Sequence, residues 1–422
     1  MAFEIGTASS HTDLYSKLRA FLVAGENASQ TLTMSGNAGN TETVTIGAKT
    51  YTFQTSLTNT DGNVLIGATV DDSLNNLRSA VNLDPAAAGT LYAASTTAHP
   101  TARAVRASST TLVARALTPG SGGNSLATTD TLANGSWGAG TMADGGDNPW
   151  TELDYDAGAN TAIYQAPGLS GSEEIGVGFG YEANVGTDSY ALTGWMYRSY
   201  NPSLGNQSQP GHSGLGYHPV WNQPMAYWFI CNGQRVIIIT KVSTVYTASY
   251  LGKVLMYGTP GEWPQSYYMS MPIAANTRWS STSETFRNFF DPGNHNGSRM
   301  LHTSGVWFNV ANFGESSGES TVDGVNYIWP YSARFGASAS SAQTRFRELR
   351  DNADDVSYTL WPLVLCGENP APDIWGELDG AYACPGFDAG AEDIITQDNE
   401  DHVLIPNTFR SARYYYAAIK IL

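Results

Sequence analysis

Charge is scarce in this chain. Only 14% of its 422 residues are Asp, Glu, Lys or Arg, well below the usual quarter or so. Of these, 38 are acidic and 21 basic, so the net charge is −17 and the pI is near 4.7. Nucleic-acid binders draw most of their affinity from Lys and Arg at phosphates, so the balance argues against a nucleic-acid partner. Cysteine is scarce too. Cys231, Cys366 and Cys384 are odd in number and far apart. That pattern fits free, mostly buried thiols in a cytosolically made chain, with a Cys366–Cys384 bridge as the alternative. No apolar run approaches the roughly 18 residues of a membrane-spanning helix, so no membrane insertion is expected. Met1-Ala2-Phe3-Glu4 has neither the basic nor the apolar region of a signal peptide.

Catalytic signatures are missing as well. The chain has no GxSxG elbow, no GxxxxGK[ST] phosphate loop, and no GxGxxG opening a helix after a strand. Gly176-Val177-Gly178-Phe179-Gly180 lacks the helix that such a motif needs, and reads as a strand with close backbone approach. The seven histidines, His11, His99, His212, His218, His295, His302 and His402, form no HExxH or HxH pair and stand at no ligand spacing from a cysteine. Zinc is therefore not expected. No repeat of fixed period is visible, which sets aside solenoids and propellers. The reading is of a protein that is not an enzyme and holds no cofactor.

What is abundant is glycine, with 44 residues, and large aromatics, with 11 Trp and 23 Tyr. With 41% hydrophobic content, this mix points to a β-rich α+β fold with many turns and ample core. Three segments are expected. Residues 1–25 are a helical segment belonging to the main domain: Leu14, Leu18, Phe21 and Leu22 share one face, with Thr12 as N-cap. Residues 26–147 are an inserted small α+β domain rich in Ala, Gly, Ser and Thr, containing only Trp137, Tyr51 and Tyr92 of the Trp and Tyr. Within it, Glu42–Ile46 and Lys49–Gln54 form a hairpin at Gly47-Ala48, and Val70–Asn82 form a helix with Leu74, Leu77 and Val81 inward. Such an insertion reads as a display or contact domain on an exposed loop. Residues 148–422 are a larger, aromatic-rich, mostly antiparallel β domain.

The main domain is organised around 224–260. Apolar runs at Ala226–Cys231 and Gln234–Lys241 flank Asn232-Gly233, a signal for a type I′ hairpin turn with both central residues at positive φ. Val236-Ile237-Ile238-Ile239 is continuous β-branched sequence, as in a strand buried on both faces. An irregular corner at 243–252 then leads to a third strand, Lys253–Tyr257. Further on, Pro362 inside Leu360–Cys366 indicates an edge or a strand start.

This same stretch, YWFICNGQRVIIITKVSTVYTASYLGKVLMYGTPGEWP, resembles a family of structural proteins from tailed-bacteriophage virions. IGTASSHTDLYSKLRAFL, QAPGLSGSEEIGVGF and IWGELDGAYACPGFDAGAEDIIT match it in order, so the resemblance covers residues 1–25 and 148–422. TVTIGAKTYTFQT and NVLIGATVDDSLNNLRSAVN are similar to a module found in phage tail proteins. The resemblance implies a virion part; together with the missing catalytic motifs and the display-like insertion, the expectation is a tail-tip or baseplate component that assembles with itself as a trimer or hexamer and with other virion structural proteins. A collar, neck or capsid-exterior decoration protein is the alternative. The resemblance supplies no catalytic residues.

Two constellations carry residual chemistry. Glu377, Asp379, Asp388, Glu392 and Asp393 cluster near the C-terminus. They read first as turn-forming or salt-bridged acids, with calcium binding or acid/base work on a glycoside as alternatives. Trp221, Trp263, Tyr267 and Trp279 sit in loop-like sequence. Their rings could stack on a host cell-surface glycan, or serve core and subunit contacts, where Trp and Tyr are equally favoured.

Overall fold

Each residue of Val236-Ile237-Ile238-Ile239 is at most 1% exposed, and the four point alternately into two different cores. Val236 and Ile238 face one, Ile237 and Ile239 the other. A central strand covered on both faces explains why the run does not alternate with polar residues. Burying the four side chains contributes roughly 6–12 kcal/mol before the entropy of ordering them is subtracted.

The computed structural model describes residues 1–146, 150–257, 269–271, 288–290, 299–301, 307–309, 327–329, 360–367, 373–384, 389–397, 400–407 and 416–421. The fold is α+β and β-rich, with mostly antiparallel sheets. The central strand belongs to a seven-stranded sheet ordered Ala2–Ala8, Met225–Cys231, Arg235–Val242, Val245–Lys253, Met269–Met271, Arg299–Leu301 and Trp307–Asn309. Every pairing in it is antiparallel.

One face of this sheet packs against helix α1 (His11–Ala24) and a five-stranded meander running from Thr151–Asp156 to Gly216–Val220. Leu14, Leu18, Phe21 and Leu22 of α1 are fully buried there. The N-cap is Ser10, not Thr12: the Ser10 hydroxyl accepts from the Asp13 amide at 3.2 Å, and the helix starts one residue before Thr12. The other face packs against a second seven-stranded sheet that includes Trp361–Gly367, Asp373–Cys384, Glu400–Ile405 and Tyr416–Lys420. Pro362 lies at the start of its strand, outside the stretch Val364–Cys366 that pairs with Tyr327–Trp329, so its missing N–H removes no ladder bond on that side.

In the meander, Gly176, Gly178 and Gly180 stand opposite Tyr197, Trp195 and Thr193. A Cβ on Gly178 would lie 2.0 Å from the Trp195 indole, and one on Gly176 would lie 2.5 Å from the Tyr197 ring. The glycines are there so that these rings can lie on the strand. Residues 198–215 fold back over this outer face, pinned by Gln209, whose amide reaches Asn201, Leu204 and Gly205.

Two local expectations are corrected. Neither Asn232 nor Gly233 adopts positive φ, so the turn is not type I′. The Asn232 carboxamide oxygen instead accepts from the Gln234 and Arg235 amides at 2.9 and 3.1 Å, and that side-chain bonding holds the turn. Residues 245–253 are one regular strand, not a corner. The chain reverses in a two-residue turn in which Ser243 has φ 54°. The polar sequence 276–297, which reads as loop, and the sequence between Trp329 and Asp351, which reads as a loop and then a short basic helix, fall largely outside the described residues.

Residues 27–143 build two four-stranded sheets and helix α2 (Val70–Asn82) around a core of their own. Thr69 and Asp72 cap α2 reciprocally, and Leu74, Leu77 and Val81 are buried. The hairpin Ala102–Ser108/Thr111–Pro119 serves two cores at once. Ala102, Ala104, Leu112, Ala114 and Ala116 face inward, whereas Val105, Val113 and Leu117 pack into the core between the two seven-stranded sheets. Asn27 fixes the join. Its carboxamide accepts from the Phe3 amide and donates to the Phe3 and Ala116 carbonyls, all within 3.0 Å.

Candidate functional site

The acid cluster of the C-terminal region is the natural place to look for chemistry, and the fold disperses it. Glu377 and Asp379 lie two apart on the strand Asp373–Cys384, as an extended segment requires. Glu377 accepts from the Tyr257 hydroxyl at 2.6 Å. Asp379 accepts from Asn232 at 2.5 Å and Gln234 at 3.1 Å, and its carboxylate is 3.5 Å from the Arg235 guanidinium. Arg235 is fully buried, so Asp379 is the counter-charge of a cation enclosed between the two large sheets. Gly380 makes the close approach possible: its φ is 68°, and a Cβ would meet Arg235 at 2.4 Å. The Tyr250 hydroxyl completes the knot, accepting from the Asp379 amide and donating to the Lys253 carbonyl. Its ionisation is pushed well above the ordinary tyrosine range, first by burial and then by Asp379.

Glu392 is engaged elsewhere, with Lys241 and the Tyr246 hydroxyl. Asp393 accepts from the Gly390 amide within its own turn. Asp388 lies outside the described residues. Among the described residues no group of three His, Cys, Asp or Glu side chains is placed to hold a metal ion. Each described acid of the cluster has a partner within the chain, which is the salt-bridged and turn-forming arrangement.

Of the four aromatic contact residues, Trp263, Tyr267 and Trp279 lie outside the described residues. Trp221 is half-buried and directly follows the meander's last strand, Gly216–Val220. The next residue, Asn222, bonds to the His11 ring at 3.2 Å, at the start of α1. Around His11 stand Tyr181 and Tyr190, at ring separations of 5.4 and 4.7 Å, and Tyr15 meets Tyr181 at 5.4 Å. Trp221 thus borders a ring-rich corner that sequence spacing did not reveal, because His11 and Asn222 are 211 residues apart.

Among the described histidines, His218 and His402 are buried. His218 is buried, with one ring nitrogen 2.7 Å from the Ser249 hydroxyl and the other 2.8 Å from that of Thr240. Burial pulls it down to about 3. His402 is pulled to about 4, again chiefly by burial. Cys231 and Cys384 are thiols outside any disulfide, buried in separate cores, which removes the Cys366–Cys384 bridge. Burial pushes the Cys384 thiol up to about 12, so it is not a nucleophile at neutral pH.

Sequence reading missed the polar junction where 27–143 meets the rest. Asp401, fully buried, accepts from Thr396 at 2.5 Å and from Asn82 at 3.4 Å. Arg78 reaches Thr396 at 2.9 Å. Burial raises the Asp401 carboxyl above the usual range. No local motif announces the Arg78–Thr396 and Asn82–Asp401 contacts, whose partners are more than 300 residues apart in sequence.

No protein-family model and no curated protein matches the chain. Among the described residues no helix is long and apolar enough to cross a membrane.

Proposed function

We propose that this chain is a structural component of a tailed-bacteriophage virion, acting in the tail tip or baseplate as a symmetric homo-oligomer, trimeric or hexameric. The observation that carries the reading is the use made of its polar groups. The described acids of the C-terminal cluster tie layers or turns together, as Asp379 does with Arg235, and each is engaged by a partner within the chain. That is the economy of a building block. The likeness of the central strands and their flanks to virion structural proteins supplies the particular assembly. Its partners on this reading are other copies of itself and neighbouring virion proteins.

Light scattering on the purified chain tests the first half: a trimeric or hexameric mass is expected, and a monomer at every concentration contradicts it. A second reading, host-surface glycan contact, is favoured by Trp221, which is half-buried beside the exposed Asn222 and Gln223. It predicts binding to whole cells or lipopolysaccharide that Trp221→Ala weakens several-fold. Equal binding by the variant removes that reading.

A further inference from the structure

Arg103 and Arg115 stand directly opposite each other on the paired strands Ala102–Ser108 and Thr111–Pro119. Both point to the face that docks on the rest of the protein, as Val105 and Val113 do on the same strands. Nε and Nη2 of Arg103 and Nε of Arg115 are buried and have no hydrogen-bond partner. Like charges facing each other across a strand pair are destabilising, and buried guanidinium nitrogens left without partners add to that cost. Two such groups side by side are an arrangement that a bound anion would relieve.

The acids nearby do not fill the need. Glu26 is within electrostatic reach of Arg115 but is paired with the N-terminal ammonium at 2.9 Å. Asp401, the corresponding acid for Arg103, is held by Thr396 and Asn82. Elsewhere in the same molecule Arg19 uses its Nε/Nη2 edge to grip both oxygens of Glu152, at 3.1 and 2.8 Å. Arg103 presents that same two-pronged edge with nothing on it. Both residues keep partial exposure as a whole, while the unpartnered nitrogens are themselves enclosed at the docking face.

We propose that Arg103 and Arg115 bind a small tetrahedral oxyanion of the phosphate or sulfate class. The Arg103 fork takes two of its oxygens and Arg115 Nε a third. The anion sits where 27–143 docks and strengthens that join.

The probe is inorganic phosphate, added from zero to a few millimolar to the full chain at ionic strength held constant with chloride. That range lies below general salting-in or salting-out effects. A saturable rise in Tm is expected, as linkage requires for a ligand of the folded state. The rise should vanish in Arg103→Gln and in Arg115→Gln and persist in the control Lys17→Gln, at a half-buried lysine on α1. No saturable rise in the wild type overturns the proposal. So does an equal rise in the two arginine variants, which would mark an adventitious ion elsewhere. Should the variants fail to fold, a crystal structure of the wild type grown in phosphate decides. Tetrahedral density between the guanidinium groups supports the proposal; water alone, or stacked guanidinium planes with nothing between, refutes it.

Discussion

Acid should unfold this protein through its histidines, and His218 is the clearest case. It is fully enclosed between Ser249 and Thr240, and burial is the only influence displacing it from 6.5 to about 3. In the unfolded chain the same ring titrates near its ordinary value of about 6.5. Between these two limits the unfolded state binds a proton that the folded state refuses. Stability therefore falls as pH drops through that window, by about 1.4 kcal/mol per pH unit for one such group. From pH 7 to pH 5 this amounts to about 2 kcal/mol for His218 alone. His402, lowered to about 4, acts in the same sense. His11, His99 and His212 are lowered too and add to the total. Asp401, raised above its ordinary value, opposes them as the pH nears the carboxylate range. A comparison with His218→Gln isolates one group, since the others cancel. Urea-unfolding free energies at pH 7 and pH 5 should differ by about 2 kcal/mol less in the variant than in the wild type. Equal pH slopes in the two proteins would refute the reasoning, because a neutral glutamine cannot reproduce a proton-linked loss.

Three further outcomes follow from the packing. Gly178→Ala puts a methyl 2.0 Å from the Trp195 ring and should cost about 1–3 kcal/mol, read as a lowered Tm; an unchanged Tm would show that the ring is free to move. Asp379→Asn leaves Arg235 enclosed without its counter-charge and should cost about 3–5 kcal/mol. Adding Arg235→Met should recover much of that loss, and a double variant as unstable as the single would count against the tether. Asn27→Ala removes three hydrogen bonds at the join with Phe3 and Ala116. A loss of about 2–4 kcal/mol is expected, with faster proteolysis near residues 25–27; an unchanged cleavage rate would show that the join is held by other contacts.

Local signals in the sequence were informative wherever the local chain decides the outcome. The helix Val70–Asn82 emerges at its expected limits because its apolar spacing and its capping box agree. The β-branched run 236–239 revealed its two-sided burial, since nothing else makes such a strand stable in water. Asp373–Cys384 was not legible as a strand: Gly376, Gly380 and its acids lower strand propensity, and pairing with neighbours on both sides overrides that. The type I′ turn failed because the Asn232 side chain offers the backbone an alternative bond, which the dipeptide does not disclose. The pairing of Ala2–Ala8 with Met225–Cys231, and the opposition of Arg103 to Arg115 at a docking face, depend on the three-dimensional arrangement. For the site, sequence identified the acids but not their partners, and those partners decide what the acids can do.

Electron microscopy of intact particles labelled with antibody against residues 26–147 tests the proposed role most directly. Label at the distal end of the tail is the predicted result. Label at the neck or over the head would move the protein to a collar or decoration role, and particles that carry no label would contradict the claim that this is a virion part.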